Sequence, residues 1–482
     1  MKKIFTLLFF ASVLNLQFSF AQKNRVPSKR PATELKIGDK FYAESYFYTA
    51  AEFYKDVIRQ DSSNRYANFW LAMSLLNARD YANAELFFRQ FYSIKPGPKT
   101  KLKKWEKEDK VLYDKGGYYF GQVLHRNGKY DEAIDYLNKF SKSYTPRNAE
   151  DNLKKMAAIE IEGCEFSKSA PKAKVKVFSA GSNINKSYTE SAPFLADSDD
   201  LYYSSMKIDA MSTGDTLIHF EGNKSKRYYQ LMKATSAGLG WTSGKAIDNK
   251  DINEDGYNVG NGCFNKERTK FFFTKCLEVD DDRSLCNIFE ADYSNGTFSN
   301  VKRLPEPINS KEAYTSTEPT VRRSDDGMDI IYFSSDRPGG VGGMDIWYAL
   351  RTQNGEYKGP MLLKGSINTI GDEITPFFDD STKTLFFSSN GHPGLGGFDV
   401  FKCQEQPDLS WGDVINAGTP ISTGADDLYY SKNNDQTQGY LTSNREGTTP
   451  LNGIKTADDD IFYWRDFNFA VQGIVFKEGS EG

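Results

Sequence analysis

Between position 34 and about position 166, apolar residues recur at three- and four-residue spacing, and Gly and Pro fall mainly at the breaks. That pattern predicts a succession of amphipathic helices. From Val175 onward short runs rich in Tyr, Phe, Ile and Val alternate with clusters of Gly, Asn, Asp and Ser, which predicts strands joined by turns. The segment "SKSAPKAKVK" separates the two textures. The chain is therefore expected to be multidomain α plus β: a helical domain over 34–168 and a strand-rich domain over 173–468. Residues 22–33 are expected as a linker, and 469–482 as a tail or the start of a further β-domain.

Both halves repeat. In the helical half Gly38, Phe47, Ala50, Tyr54 and Val57 recur 34 residues later as Ala72, Tyr81, Ala84, Phe88 and Phe91. A third copy, Gly121, Tyr130, Ala133, Leu137 and Phe140, follows the charged insertion "GPKTKLKKWEKEDKV". Small residues at fixed positions let paired helices approach closely, and aromatics fill the gaps. This resembles the tetratricopeptide repeat (TPR), whose stacks form α-solenoids that grip peptides or proteins. A rigid spacer is the plainer alternative.

In the strand half, "YFSSDRPGGVGGMDIWYA" (332–349) aligns without a gap on "FFSSNGHPGLGGFDVFKC" (386–403). Around them lie looser copies, each a meander of short strands, five in all. Five such units predict a five-bladed β-propeller. The last unit stops after three strands, and "KVKVFSAGSNIN" ahead of the first looks like its missing fourth. The ring is thus expected to be closed by an N-terminal strand, which removes a free sheet edge. Ser335, Arg337, Gly342, Gly343 and Asp345, with Ser389, Gly396, Gly397 and Asp399, read as an architectural motif. Phe333 is placed on an inner strand, the glycines serve unusual backbone angles, and the Asp accepts N–H groups of the loop. Arg337 and Arg445, in corresponding loops, are offered as partners for such acids.

Composition narrows the function. A formal charge of −4 excludes a generally basic nucleic-acid binder. Lys2-Lys3, an apolar run from Ile4 to Leu14 and Ser19-Phe20-Ala21 before Gln22 read as a signal peptide over 1–21. No segment is long enough to span a membrane as a helix. In an oxidising compartment Cys276 and Cys286 sit well for a bridge between adjacent strands; reduced buried thiols are the alternative. No metalloprotease or nucleophile-elbow motif occurs and His is scarce, so the expectation is no enzyme. "DINEDG" carries a calcium-loop spacing at Asp251, Asn253 and Asp255, but position twelve is Gly262, and an Asx-rich turn is the stronger reading. No cofactor other than that calcium is expected.

The order of signal peptide, TPR units and blades carrying "YFSSDRPGGVGGMDIW" resembles PorE-type envelope proteins with PD40 (TolB-like, WD40-like) propellers. The similarity runs over about residues 34 to 468. It implies a periplasmic scaffold of the type IX secretion or gliding machinery, associated with the outer membrane through a PorP/SprF-like β-barrel. In that family an OmpA-like C-terminal domain holds peptidoglycan; no residue here matches it, and "VQGIVF" looks like the opening of the carboxypeptidase-regulatory-like domain before it, which suggests a truncated sequence. The alternative is a propeller that binds a glycan or peptide ligand in its central funnel.

Overall fold

The structure, a computed structural model, describes residues 30–95, 109–148, 151–186, 189–197, 200–206, 228–238, 240–280, 283–408, 410–433, 436–449 and 458–466. The expected signal peptide, most of the charged insertion, the long insertion in the first strand unit and the 469–482 segment lie outside these residues.

Seven helices come first among the described residues: α1 (Pro31–Ala43), α2 (Phe47–Gln60), α3 (Arg65–Asn77), α4 (Tyr81–Ser93), α5 (Asp109–Arg126), α6 (Tyr130–Ser143) and α7 (Leu153–Ser167). They share one core containing Tyr54, Phe69, Phe88, Phe91, Phe120 and Leu137. The small repeat residues permit close approach: a Cβ at Gly38 would lie 2.9 Å from the Tyr54 ring. Asn64 and Asp80 cap α3 and α4 by accepting the N–H groups of Ala67 and Asn83.

The strands form five four-stranded blades, the first with its outer position split in two. Blade 1 holds β2 (Glu190–Asp197), β3 (Asp200–Met206), β4 (Tyr229–Ala237), β5 (Gly240–Trp241) and β6 (Lys245–Ala246). Blade 2 holds β7 (Tyr257–Phe264), β8 (Lys270–Asp280), β9 (Arg283–Ser294) and β10 (Thr297–Arg303). Blade 3 runs β11 (Ser316–Arg323), β12 (Asp329–Ser335), β13 (Asp345–Arg351) and β14 (Tyr357–Leu362). Blade 4 runs β15 (Glu373–Asp379), β16 (Thr384–Ser389), β17 (Asp399–Gln404) and β18 (Ile415–Asn416). Blade 5 combines β19 (Asp427–Lys432), β20 (Gln438–Ser443) and β21 (Asp460–Asp466) with β1 (Val175–Ser179), which pairs antiparallel with β21 from Val175↔Asp466 to Ser179↔Phe462.

Neighbouring inner strands β2, β7, β11, β15 and β19 meet in a closed ring. Five apolar layers fill the spaces between blades. Phe333 is fully buried in the layer between blades 2 and 3, but on the second strand of its blade; β11 is the inner one. Just past the outer strand of four blades stands an Ile-Asn pair: Ile184-Asn185, Ile252-Asn253, Ile308-Asn309 and Ile367-Asn368. Each Asn fastens the third strand of its blade: Asn368 Oδ1 accepts the Ile346 N–H at 2.7 Å, and its Nδ2 donates to the Ile346 and Leu363 carbonyls. Asn185, Asn253 and Asn309 do the same for Ile461, Leu231 and Ile288.

Candidate functional site

The axis of the propeller is built from a bulge repeated in every inner strand. Pairing with the second strand slips between Ser191 and Phe194, Gly260 and Cys263, Thr317 and Thr320, Ile374 and Phe377, and Leu428 and Ser431. At the slip stand Ala192, Asn261, Glu318, Thr375 and Tyr429, all left-handed, with φ between 50° and 60°. None is glycine, so the ring around the axis holds this strained conformation by its surroundings. Several of those supports are hydroxyls on second strands or on the ring itself. Thr442 Oγ1 accepts the Ala192 N–H, Thr274 Oγ1 that of Glu318, and Thr375 Oγ1 that of Tyr429. Glu318 departs from this pattern: its carboxylate accepts the Thr375 N–H at 2.7 Å and the Tyr429 hydroxyl at 3.0 Å. Burial raises its pKa against these donors. Ala192, Met344, Ile374, Phe398, Leu428 and Tyr429 pack together as an apolar plug on the axis.

The repeated motif surrounds that plug. Asp345 accepts the Val341 N–H at 2.9 Å, and Asp399 accepts the Leu395 N–H at 2.6 Å. Burial lifts Asp345 to about 6 and Asp399 well above the usual carboxylate range. Ser389 Oγ donates to Glu373, whose carboxyl burial pushes up to about 8; Ser335 Oγ donates to the Thr315 carbonyl. The shared glycines serve proximity more than unusual angles. A Cβ at Gly342 would overlap the Thr369 and Gly371 carbonyls, one at Gly396 the Gly424 backbone, and those at Gly343 and Gly397 the carboxylates of Asp372 and Asp426. Arg337 binds the Pro307 and Ile308 carbonyls and the Ser335 and Ser316 hydroxyls rather than the motif Asp, while Arg445 pairs with Asp427. Burial lowers the Arg337 pKa to about 10.

The helices dock over the end of the axis where these loops emerge. Arg79, between α3 and α4 and itself left-handed (φ 62°), reaches Asp459 Oδ1 at 2.7 Å, Asp459 Oδ2 at 3.2 Å and Asp426 Oδ2 at 3.4 Å. Its side chain is only 8% exposed. Burial by itself would lower the Arg79 pKa; the two carboxylates outweigh it. Beside it the Arg126 guanidinium stacks on Tyr81. A Cβ at Gly163 would lie 2.8 Å from the Gly394 carbonyl, and Ser167 Oγ lies 3.3 Å from the same oxygen. His125 bridges Glu160 and Ser167 within this seam, its Nδ1 2.7 Å from Glu160 Oε2 and its Nε2 3.3 Å from Ser167 Oγ. The mouth therefore has the aspartates and tyrosines that funnel recognition requires, but they are engaged by the chain itself.

The segment with the calcium-loop spacing has a structural use. Asn253 Oδ1 accepts the Leu231 N–H at 2.8 Å and its Nδ2 donates to two carbonyls, so its side chain is committed to closing blade 1. Asp251 and Asp255 are exposed, and no group of three metal-binding side chains occurs among the described residues. Cys276 and Cys286 form a disulfide across the β8–β9 ladder; Cys164, Cys263 and Cys403 are free.

A solvent-open cleft of about 570 Å³ lies between blades 1 and 2, lined by Thr235, Thr242, Ser243, Lys245, Asp248 and Thr297 among others. The last four are exposed, and their side chains make no hydrogen bond among the described residues. Sequence reasoning points to the central funnel without naming the residues of its mouth, and it misses the cleft. The mouth left one signal: the aligned position before the motif Asp is Met344 and Phe398 in two blades but Asp459 in the fifth.

No family model matches the chain, and no curated protein matches it. Solved structures do. A thermostable family-43 glycoside hydrolase is 13% identical with a TM-score of 0.37, over 58% of this chain and 89% of its own. An endo-arabinase from Bacteroides thetaiotaomicron is 12% identical with a TM-score of 0.36, over 62% and 98%. A protein of unknown function from Dyadobacter fermentans is 12% identical with a TM-score of 0.36, over 56% and 73%. The expectation that the chain is not an enzyme is corrected here: several matched propellers are glycoside hydrolases, so a missing sequence motif is no ground for excluding catalysis. At these scores the likeness assigns no reaction to this chain.

Proposed function

We propose that this chain is a ligand-binding propeller that takes a glycan or a peptide, with its helical layer fixed over one end of the axis. The observation that carries this is the cleft between blades 1 and 2. The acids at the mouth are engaged within the chain, whereas Ser243, Lys245, Asp248 and Thr297 offer donors and acceptors to solvent. A recess that sets hydroxyls, the ammonium groups of Lys233 and Lys245 and one carboxylate beside Ile247 and Phe298 suits a ligand with both polar groups and an apolar face, as a sugar or a peptide has. Calorimetric titration with oligosaccharide and peptide panels tests the reading. Lys245→Ala and Asp248→Ala are each expected to weaken binding at least about tenfold, since each removes a charged hydrogen-bonding partner. Binding that ignores both substitutions, or no binding from either panel, would overturn it.

A second reading, a periplasmic scaffold contacting an outer-membrane β-barrel of the PorP/SprF type, is favoured by the buried pairing of Arg79 with Asp459 and Asp426, which ties helices and blades into one body. In this reading the helices act as a TPR-type stack. Co-purification of a stoichiometric barrel supports it; a chain that purifies alone from solubilised envelopes counts against it.

A further inference from the structure

Two carboxylates from different loops converge on one cation at the mouth. Asp426 comes from the connection between blades 4 and 5, and Asp459 from the loop inside blade 5. Asp426 is part of the repeat, matched by Asp372; both accept an N–H of the preceding blade's glycine loop, that of Phe398 or Met344. Asp459 is not, because its counterparts Met344 and Phe398 belong to the apolar plug. One departure from the repeat thus turns an apolar position into half of a guanidinium clamp.

The group that fills the clamp comes from outside the propeller. Arg79 presents two nitrogens to the two oxygens of Asp459, the fork geometry that distinguishes Arg from Lys. Its left-handed backbone belongs to its own turn, since Ser45 and Gly128 hold the same conformation after α1 and α5; what the acids fix is the course of its side chain. The acids in turn cannot stand empty. Asp459 is buried, and burial raises its pKa even beside the guanidinium. Without a cation one or both carboxyls must take up a proton or water must enter.

We propose that the propeller mouth is a recognition site for an arginine side chain, and that Arg79 is its intramolecular occupant. The ligand class is an arginine presented by a polypeptide, which competes with the helical layer for Asp459 and Asp426. The site is separate from the cleft between blades 1 and 2 and stands without it.

The test uses the full chain with Arg79→Gly, which vacates the clamp and suits the left-handed backbone. N-acetyl-arginine amide at millimolar concentration is expected to raise its unfolding midpoint by about 2 °C or more. The neutral isostere N-acetyl-citrulline amide should leave it unchanged, and Arg79→Gly combined with Asp459→Asn should lose the response. No shift in a folded Arg79→Gly variant, or an equal shift with citrulline, overturns the proposal. Should that variant fail to fold, Arg79→Lys keeps the charge without the fork. There the same arginine compound should displace the helical layer and speed proteolysis between Lys168 and Lys174; unchanged cleavage overturns the proposal.

Discussion

Glu373 shows how a residue in a repeated position acquires its chemistry. It opens β15, where its Oε1 accepts the hydroxyls of Ser389 at 2.7 Å and Thr369 at 2.6 Å, and its Oε2 the Thr369 N–H at 2.6 Å. Burial pushes its pKa from 4.5 to about 8, with Asp345 adding to the effect. A carboxyl raised on folding stabilises the fold fully below its unfolded value, and that contribution is lost as pH climbs through the folded value. Between about pH 4.5 and 8 this group therefore costs stability as it ionises, by an amount of order a few kcal/mol. Asp460, lifted to about 7, acts in the same direction. Glu373→Gln mimics the neutral form, its amide nitrogen facing the two hydroxyls and its oxygen the Thr369 N–H. The variant should hold its unfolding midpoint better than wild type when pH is raised from 5 to 8. Parallel midpoint curves for the two proteins would show that Glu373 does not titrate in that window.

At the level of elements, the blade motif was legible because sheets announce themselves by alternation and glycine by position. The four-stranded unit, the count of five and the glycine loops follow from runs such as "IIYFSS" and "TLFFSS". Two things were not legible. The apolar run around Phe333 lies on the second strand of its blade; the inner strand instead carries polar residues such as Ser316, Thr317 and Glu318, of which Glu318 reaches the neighbouring bulge at Thr375. The role of the glycines was half legible, since a sequence shows that a side chain is absent but not what lies against the space. Gly396 makes the difference measurable. Its Cβ would overlap the Gly424 backbone, which has no flexible end to move, whereas Gly240 has nothing within 4 Å. Gly396→Ala should lower stability by roughly 2 kcal/mol or more, and Gly240→Ala by less than about 0.5 kcal/mol. Denaturant unfolding decides between them, and equal midpoints would refute the packing argument. The cleft is invisible for a related reason, and the arginine clamp nearly so. Each joins residues from separate units; Ser243 does not stand out within its own, and Asp459 does so only when its unit is aligned with the others.

For the molecule as a whole, the closing strand is the decisive element. β1 contributes Val175 and Val177 to the apolar layer between blades 4 and 5 and satisfies the outer edge of β21. A chain lacking Val175–Ser179 should leave blade 5 with three strands and an open edge, and so associate or unfold. Size-exclusion chromatography with light scattering should then find oligomers or loss of soluble protein; a stable monomer with an unchanged unfolding midpoint would show that the ring does not need this strand. The helical layer depends on the same closure, because the segment joining it to β1 is itself paired. The Thr419 N–H donates to the Pro171 carbonyl at 2.9 Å, and the Ala173 N–H to the Thr419 carbonyl at 2.6 Å.

That β1 precedes every blade, while its partner β21 follows almost all of them, also sets a timetable. A ribosome that delivers the chain amino end first releases β1 early and β21 after every other described strand. Until Asp460–Asp466 arrives, four blades stand as an unfinished arc whose last edge is unprotected, and the helices have only part of their platform. A chain that stops short of Asp460 never leaves that condition. The ring is thus a checkpoint on its own completeness, since only a chain delivered as far as its last blade presents a finished surface to anything waiting to bind it.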